Sequence, residues 1–220
     1  MEKIDLLYDH YKESFSLSKE AQNQRNKHFV VLCILEAFSF MFITNPQKAT
    51  ELINKGVESQ LEIVLPLGLT VIQTLLWILI AYVMIRYVQD VMYIERQYSY
   101  LDGLEKEIDD ILGKKRIFGR EGQAYYKDYP IVLNLIDLFY KMLMPILFAG
   151  INLVRIIMEW RVAQYVNTAL ICDTAMFTAI FIITWFFFFE IHPKITGLAK
   201  KYVPLVDKIA IIIRKILKEV

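Results

Sequence analysis

Apolar residues are gathered in blocks along this chain. Ile63–Ile85 holds no charged residue, and Val162–Phe189 holds only Asp173 and ends on Trp185-Phe186-Phe187-Phe188-Phe189. A helix needs about 20 mostly apolar residues to cross a hydrocarbon core, so each block predicts a span. Phe29–Thr44 is shorter and carries Glu36, but it fits when His28 and Asn45 sit at the interfaces. Tyr129–Met158 is interrupted by Asp137, Lys141, Pro145 and Arg155. Its centre, Met142–Val154, crosses if Lys141 and Arg155 snorkel to opposite faces. Pro145 removes a backbone donor and predicts a bend.

The expected architecture is an all-α, polytopic membrane protein: four transmembrane helices with cytoplasmic helical extensions. Its predicted segments are an amphipathic helix (1–27), a first span (28–45), an external loop (46–62) and a second span (63–85). A cytoplasmic helix with a Gly-containing basic loop follows (86–128), then a third span bent at Pro145 (129–158) and a short external turn (159–164). The fourth span (165–192) leads into a basic amphipathic helix (193–220).

Lys and Arg counts in the connections set the orientation. Residues 1–27 carry five, 45–62 carry Lys48 and Lys55, 86–128 carry eight, the turn after the third span carries Arg161, and 194–220 carry seven. This alternation predicts four crossings of a membrane with both termini cytoplasmic. The first apolar block follows a long charged segment and no small-x-small cleavage site succeeds it, so no cleavable signal peptide is expected.

Composition agrees with this reading. Hydrophobic residues make up 56% of the chain, above the roughly 45–50% of soluble proteins. The net charge of +1 gives no reason to expect direct nucleic-acid binding. Cys33 and Cys172 lie in apolar runs without metal-ligand spacing, and read as core thiols.

Outside the spans, Ile4, Leu7, Tyr8, Tyr11 and Phe15 recur at helical spacing. Ile94, Leu101, Leu104, Ile108 and Ile111 line one side of the helix after the second span. Their 3-4 spacing suits a short bundle or coiled coil, hence an association surface. Gly113, Gly119 and Gly122 break that helix around Lys114-Lys115-Arg116. Leu205, Ile209, Ile212, Ile216 and Val220 form one face of the last segment, and its basic residues suit an anionic inner leaflet.

No phosphate-binding glycine loop, zinc-binding His-Glu-x-x-His or nucleophile elbow is present. The expectation is a non-enzymatic protein with no cofactor and no metal. The sharper signals are the polar groups inside spans, because such groups are costly in lipid and face protein or water. Glu36 either lines a path or pairs with a neighbour such as Lys141, and pairing is the simpler account. Asp137 and Lys141 stand one turn apart, so they too suit a local pair. Arg155 and Asp173 fall at similar depth on adjacent antiparallel spans and predict a bridge. Gln73 and Asn152 suit hydrogen bonds between helices or between copies. Tyr93, Tyr98 and Tyr100 beside Arg96 admit a nucleotide ligand, though interfacial anchoring is the plainer reading.

Lys19-Glu20-Ala21-Gln22-Asn23-Gln24-Arg25-Asn26-Lys27 leads straight into the first span. Arg86-Tyr87-Val88-Gln89-Asp90 and Tyr93-Ile94-Glu95-Arg96-Gln97-Tyr98 extend the second. This helix–span–span–helix layout, over about the first 112 residues, resembles the SLATT group of small bacterial membrane effectors, which have two spans where this chain has four. Four spans with cytoplasmic termini also look like the membrane subunit of Kiwa-type defence systems and the small membrane partners of RNA-targeting CRISPR loci. These resemblances imply a membrane component of bacterial anti-phage defence or stress response. It would be a homo-oligomeric pore-forming or membrane-perturbing effector, or a sensor or scaffold recruiting a cytosolic protein, with a nucleotide signal as one form of trigger. A small transporter or membrane enzyme is the remaining class, and it lacks the expected repeats and broken helix pairs.

Overall fold

The computed structural model describes residues 2–61, 68–113 and 131–191. The described residues contain helices and turns and no strand. Four of the helices are long and apolar enough to cross a membrane. The predicted basic helix at 193–220 and the loop around Lys114-Lys115-Arg116 lie outside the described residues.

The first helix, α1 (Glu2–Thr44), runs without a break through what the sequence divides into an amphipathic helix and a span. At about 1.5 Å per residue its 43 residues reach about 65 Å, roughly twice a hydrocarbon core. The third helix, α3 (Leu69–Leu112), has 44 residues and the same reach. It ends at Gly113, whose positive φ of 62° is open to glycine without strain and whose N–H reaches the carbonyls of Asp109 and Asp110.

These two helices pack antiparallel along their whole length, because both carry a seven-residue repeat. On α3, Ile80, Tyr87, Ile94, Leu101 and Ile108 are buried at steps of seven, with Leu76, Val83 and Leu104 in the second phase. On α1 the matching positions are Leu7, Ser14, Ala21 and Phe42, and Ser18, Leu32 and Ser39. A strict seven-residue pattern keeps one seam facing the partner and gives shallow, left-handed crossing. Small residues at 14, 18 and 21 allow close approach.

Cross-links then fix the register. Lys3 meets Glu107 at 3.2 Å, the Tyr11 hydroxyl donates to Glu105 at 3.0 Å, and Gln22 donates to the Tyr98 hydroxyl at 3.2 Å. His28 Nδ1 lies 2.6 Å from Asp90. The apolar stripe read as an association surface is therefore largely covered by the chain's own first helix. Ile94, Leu101, Leu104 and Ile108 are buried, the last two against Leu7 and Tyr11, and only Ile111 stays exposed.

Residues 46–62, expected as a loop, contain α2 (Pro46–Leu61). Asn45 Oδ1 accepts from the Lys48 N–H at 3.2 Å, and Pro46 occupies the first turn, where its missing N–H costs nothing. Helix α2 is amphipathic: Ala49 is buried and Ile53 packs on the core, while its polar face is exposed, with Lys55 paired to Glu51 at 2.7 Å, a contact that holds the Glu51 carboxyl below its ordinary range.

The third apolar helix is composite. A short α4 (Ile131–Leu138) passes through a π-helical turn (Phe139–Leu143) into α5 (Met144–Val162). The expected effect of Pro145 takes this form. The Met144 N–H reaches back five residues to the Phe139 carbonyl. The Tyr140 carbonyl thus loses its ordinary donor, and the residue that would serve it in π geometry is Pro145, which has no N–H. The Tyr87 hydroxyl of α3 donates to it instead, at 3.2 Å. Tyr87→Phe should therefore lower stability by about 1 kcal/mol, measured as thermal unfolding in detergent. An unchanged midpoint would mean that the carbonyl finds another donor.

The last described helix, α6 (Thr168–Ile191), starts where Asn167 Oδ1 caps the Leu170 N–H at 2.8 Å. It packs on α3 and α5. The Trp160 indole N–H donates to Thr174 across the turn at 3.0 Å. The main core lies where α1, α3, α5 and α6 meet, around Leu32, Trp77, Ile80, Phe148, Ile156 and Ile180.

Candidate polar site inside the helix bundle

Most of the polar residues that the sequence places inside spans converge in this core. Glu36 of α1 is 2% exposed and accepts from Asn152 Nδ2 of α5 at 2.6 Å. The same amide nitrogen donates to the Phe148 carbonyl one turn back, at 2.9 Å. Glu36 thus pairs through Oε1 with Asn152 and not with Lys141. Lys141 instead pairs with Glu95 of α3 at 2.6 Å, which fastens the π-helical turn to α3. The side chain of Asp137 lies outside the described residues.

One turn beyond Asn152 stands Arg155, 1% exposed, with its guanidinium engaged on every side. Nε donates to Glu159 at 2.9 Å, Nη1 to Ser39 Oγ at 3.2 Å, and Nη2 to the Gln73 backbone carbonyl at 2.6 Å. The guanidinium carbon lies 4.3 Å from the centre of the Trp77 ring, a stacking arrangement that suits Arg and not Lys. The Trp77 indole N–H in turn donates to both oxygens of Glu159 at 3.0 Å. The result is a closed unit of Arg155, Glu159 and Trp77 that ties α5 to α3, with Ser39 bringing in α1.

Asp173 is the correction to the sequence reading. It lies at the expected depth and is 4% exposed, but the ion pair of Arg155 is with Glu159, one turn along its own helix. The Thr74 hydroxyl stands beside Asp173 and acts on its carboxyl, but among the described residues neither Thr74 Oγ1 nor Asp173 Oδ1 makes a hydrogen bond of good geometry. Among the same residues Glu36 Oε2 and Asn152 Oδ1 are without a partner as well.

Gln73, Arg155, Glu159 and Asp173 also line a cavity of about 330 Å³ that opens toward the ends of α5 and α6 near Val162 and Asn167. Among the described residues, no three His, Cys, Asp or Glu side chains converge as a metal site. Cys33 and Cys172 are free thiols, both half-buried. Of the tyrosines beside Arg96, Tyr98 faces Gln22 while Tyr93 and Tyr100 are exposed.

The sequence reading missed Trp77, Glu159, Ser39 and Thr74. Glu159 alone had a local signal, its four-residue spacing from Arg155. No protein-family model, curated protein or solved structure matches this chain.

Proposed function

We propose that the chain is a non-enzymatic, multi-pass protein of a bacterial inner membrane. With both ends cytoplasmic, it would hold the α1–α3 pair out as a stalk on which a soluble partner docks. The resemblance in layout supports a role in anti-phage defence or stress response. The carrying observation is that α1 and α3 continue beyond their apolar segments as an unbroken, register-locked pair. A scaffold needs such rigidity.

The outer faces of the apolar helices support a scaffold over a pore between copies. They present Val30, Ile34 and Phe40 on α1, Leu75 and Leu79 on α3, and Leu153, Ile157, Phe181 and Ile182 on α5 and α6. Asn152, read as bonding between helices or between copies, bonds to Glu36 of another helix of the same chain, and Gln73 offers its backbone carbonyl to Arg155.

Two measurements test this reading. Proteoliposomes should hold a potassium gradient as long as protein-free vesicles do; leakage that rises with protein density would overturn the scaffold. For orientation, membrane-impermeant thiol labelling of intact cells should reach Lys55→Cys and spare Lys106→Cys. The reverse pattern would place the stalk outside. A conducting effector is the second reading, favoured by the buried oxygens without partners along Glu36, Asn152 and Asp173.

A further inference from the structure

The cavity beside Arg155 carries a charge pattern that its own chain does not complete. Its floor is polar and buried, with Arg155 1% and Asp173 4% exposed, whereas Val162 at its mouth is 78% exposed. The walls between are apolar: Phe42, Ile43, Met158 and Leu170. The volume of about 330 Å³ is at the lower end of small-molecule sites, which run from roughly 300 to 1,000 Å³.

The floor holds two carboxylates, Glu159 and Asp173, and one guanidinium. Each guanidinium nitrogen of Arg155 already donates elsewhere, to Glu159, Ser39 and the Gln73 carbonyl, and its carbon stacks on the Trp77 ring. Among the described residues Asp173 makes no ion pair at salt-bridge distance, and the Thr74 hydroxyl beside it leaves Oδ1 without a well-formed hydrogen bond. A buried carboxylate in this setting calls for a cation or a donor.

An anion meets two carboxylates here, and a neutral molecule leaves the charge unbalanced. Among the described residues no third ligand completes a metal site. We infer that the cavity binds a small organic ammonium with an apolar body. Its N–H donates to Asp173 Oδ1, and its body lies against Met158, Leu170 and Phe42. This site is separate from the stalk, and binding is expected whether or not the stalk has a partner.

The test uses the full chain in detergent micelles, with empty micelles subtracted, and three probes of one shape: 2-phenylethylamine, 2-phenylethanol and phenylacetate. Calorimetric titration should show the amine binding at least tenfold more tightly than the alcohol, with no measurable binding of the carboxylate. Asp173→Asn keeps the shape and should abolish the tenfold preference. Val162→Trp leaves the carboxylate in place and narrows the mouth, and should weaken amine binding severalfold. The inference is overturned if the amine shows no binding or no preference over the alcohol, or if Asp173→Asn binds the amine as well as the wild type does. If Asp173→Asn does not fold, Val162→Trp decides, and undiminished amine affinity in it overturns the site.

Discussion

Alanine at position 155 is expected to lower the stability of the folded chain by about 3–5 kcal/mol, the usual effect of removing one partner from a buried ion pair. The side chain is 1% exposed and supplies three hydrogen bonds and a ring contact to three helices. Its loss leaves Glu159 with the Trp77 N–H alone and strips a donor from the Gln73 carbonyl. Arg155→Lys should recover only part of the loss, because an ammonium cannot reproduce the planar fork or the stacking on Trp77. Arg155→Met with Glu159→Gln should be more stable than Arg155→Ala, since no charge is then left uncompensated. Thermal unfolding in detergent reads each of these. A double-mutant cycle should give strong coupling between positions 155 and 159 and weaker coupling between 155 and 173. The opposite order would restore the Arg155–Asp173 bridge that depth alone predicts.

The second large effect is expected at Asn152. Asn152→Leu removes the donor 2.6 Å from Glu36 and leaves a carboxyl that is 2% exposed without that bond. An unsatisfied buried group costs about 1–3 kcal/mol, and more when charged. Glu36→Leu combined with Asn152→Leu removes both polar groups, and should lie closer to wild type than Asn152→Leu alone. The same unfolding assay decides. A double variant that loses as much as the two single variants together would mean that the pair does not act as a unit.

What was legible in the sequence follows from what leaves a local trace. The apolar blocks stand out because crossing a bilayer demands an unbroken run of the right length. The stop at Gly113 was legible for the same kind of reason, since a glycine there interrupts an otherwise regular pattern. Helix α2 was missed although Asn45-Pro46 spells a helix start, because its polar composition resembles a loop. The seven-residue repeat was seen only from Leu101 to Ile111, where packed positions alternate with charged ones. Nearer the second span, exposed residues such as Leu75, Ile78 and Leu79 are as apolar as the packed Leu76, Ile80 and Val83, so hydropathy hides the seam.

The site was legible in its members more than in its pairings. Glu36, Asn152, Arg155 and Asp173 were marked by the cost of polar groups in apolar runs. Counting residues from the turn put Arg155 and Asp173 at one depth. Depth does not fix which way a helix is rotated, and Glu159, just past the predicted end of the span, takes the guanidinium. Ser39 and Trp77 come from helices more than 70 residues away in sequence, with nothing local to announce them.

The matched repeats on α1 and α3 make their protruding portion behave as a graduated ruler. Seven residues added to each helix at the same level would lengthen it by about 10 Å and return every side chain to its bearing. Two residues added to one helix alone would rotate everything beyond them by about 200°, swing Leu7 or Ile108 off the seam and disengage the lateral bonds beyond the insertion. The length of the α1–α3 pair beyond its apolar segments is therefore adjustable only in discrete, paired increments, and a single-helix insertion registers as a fault in alignment before it registers as a change in length.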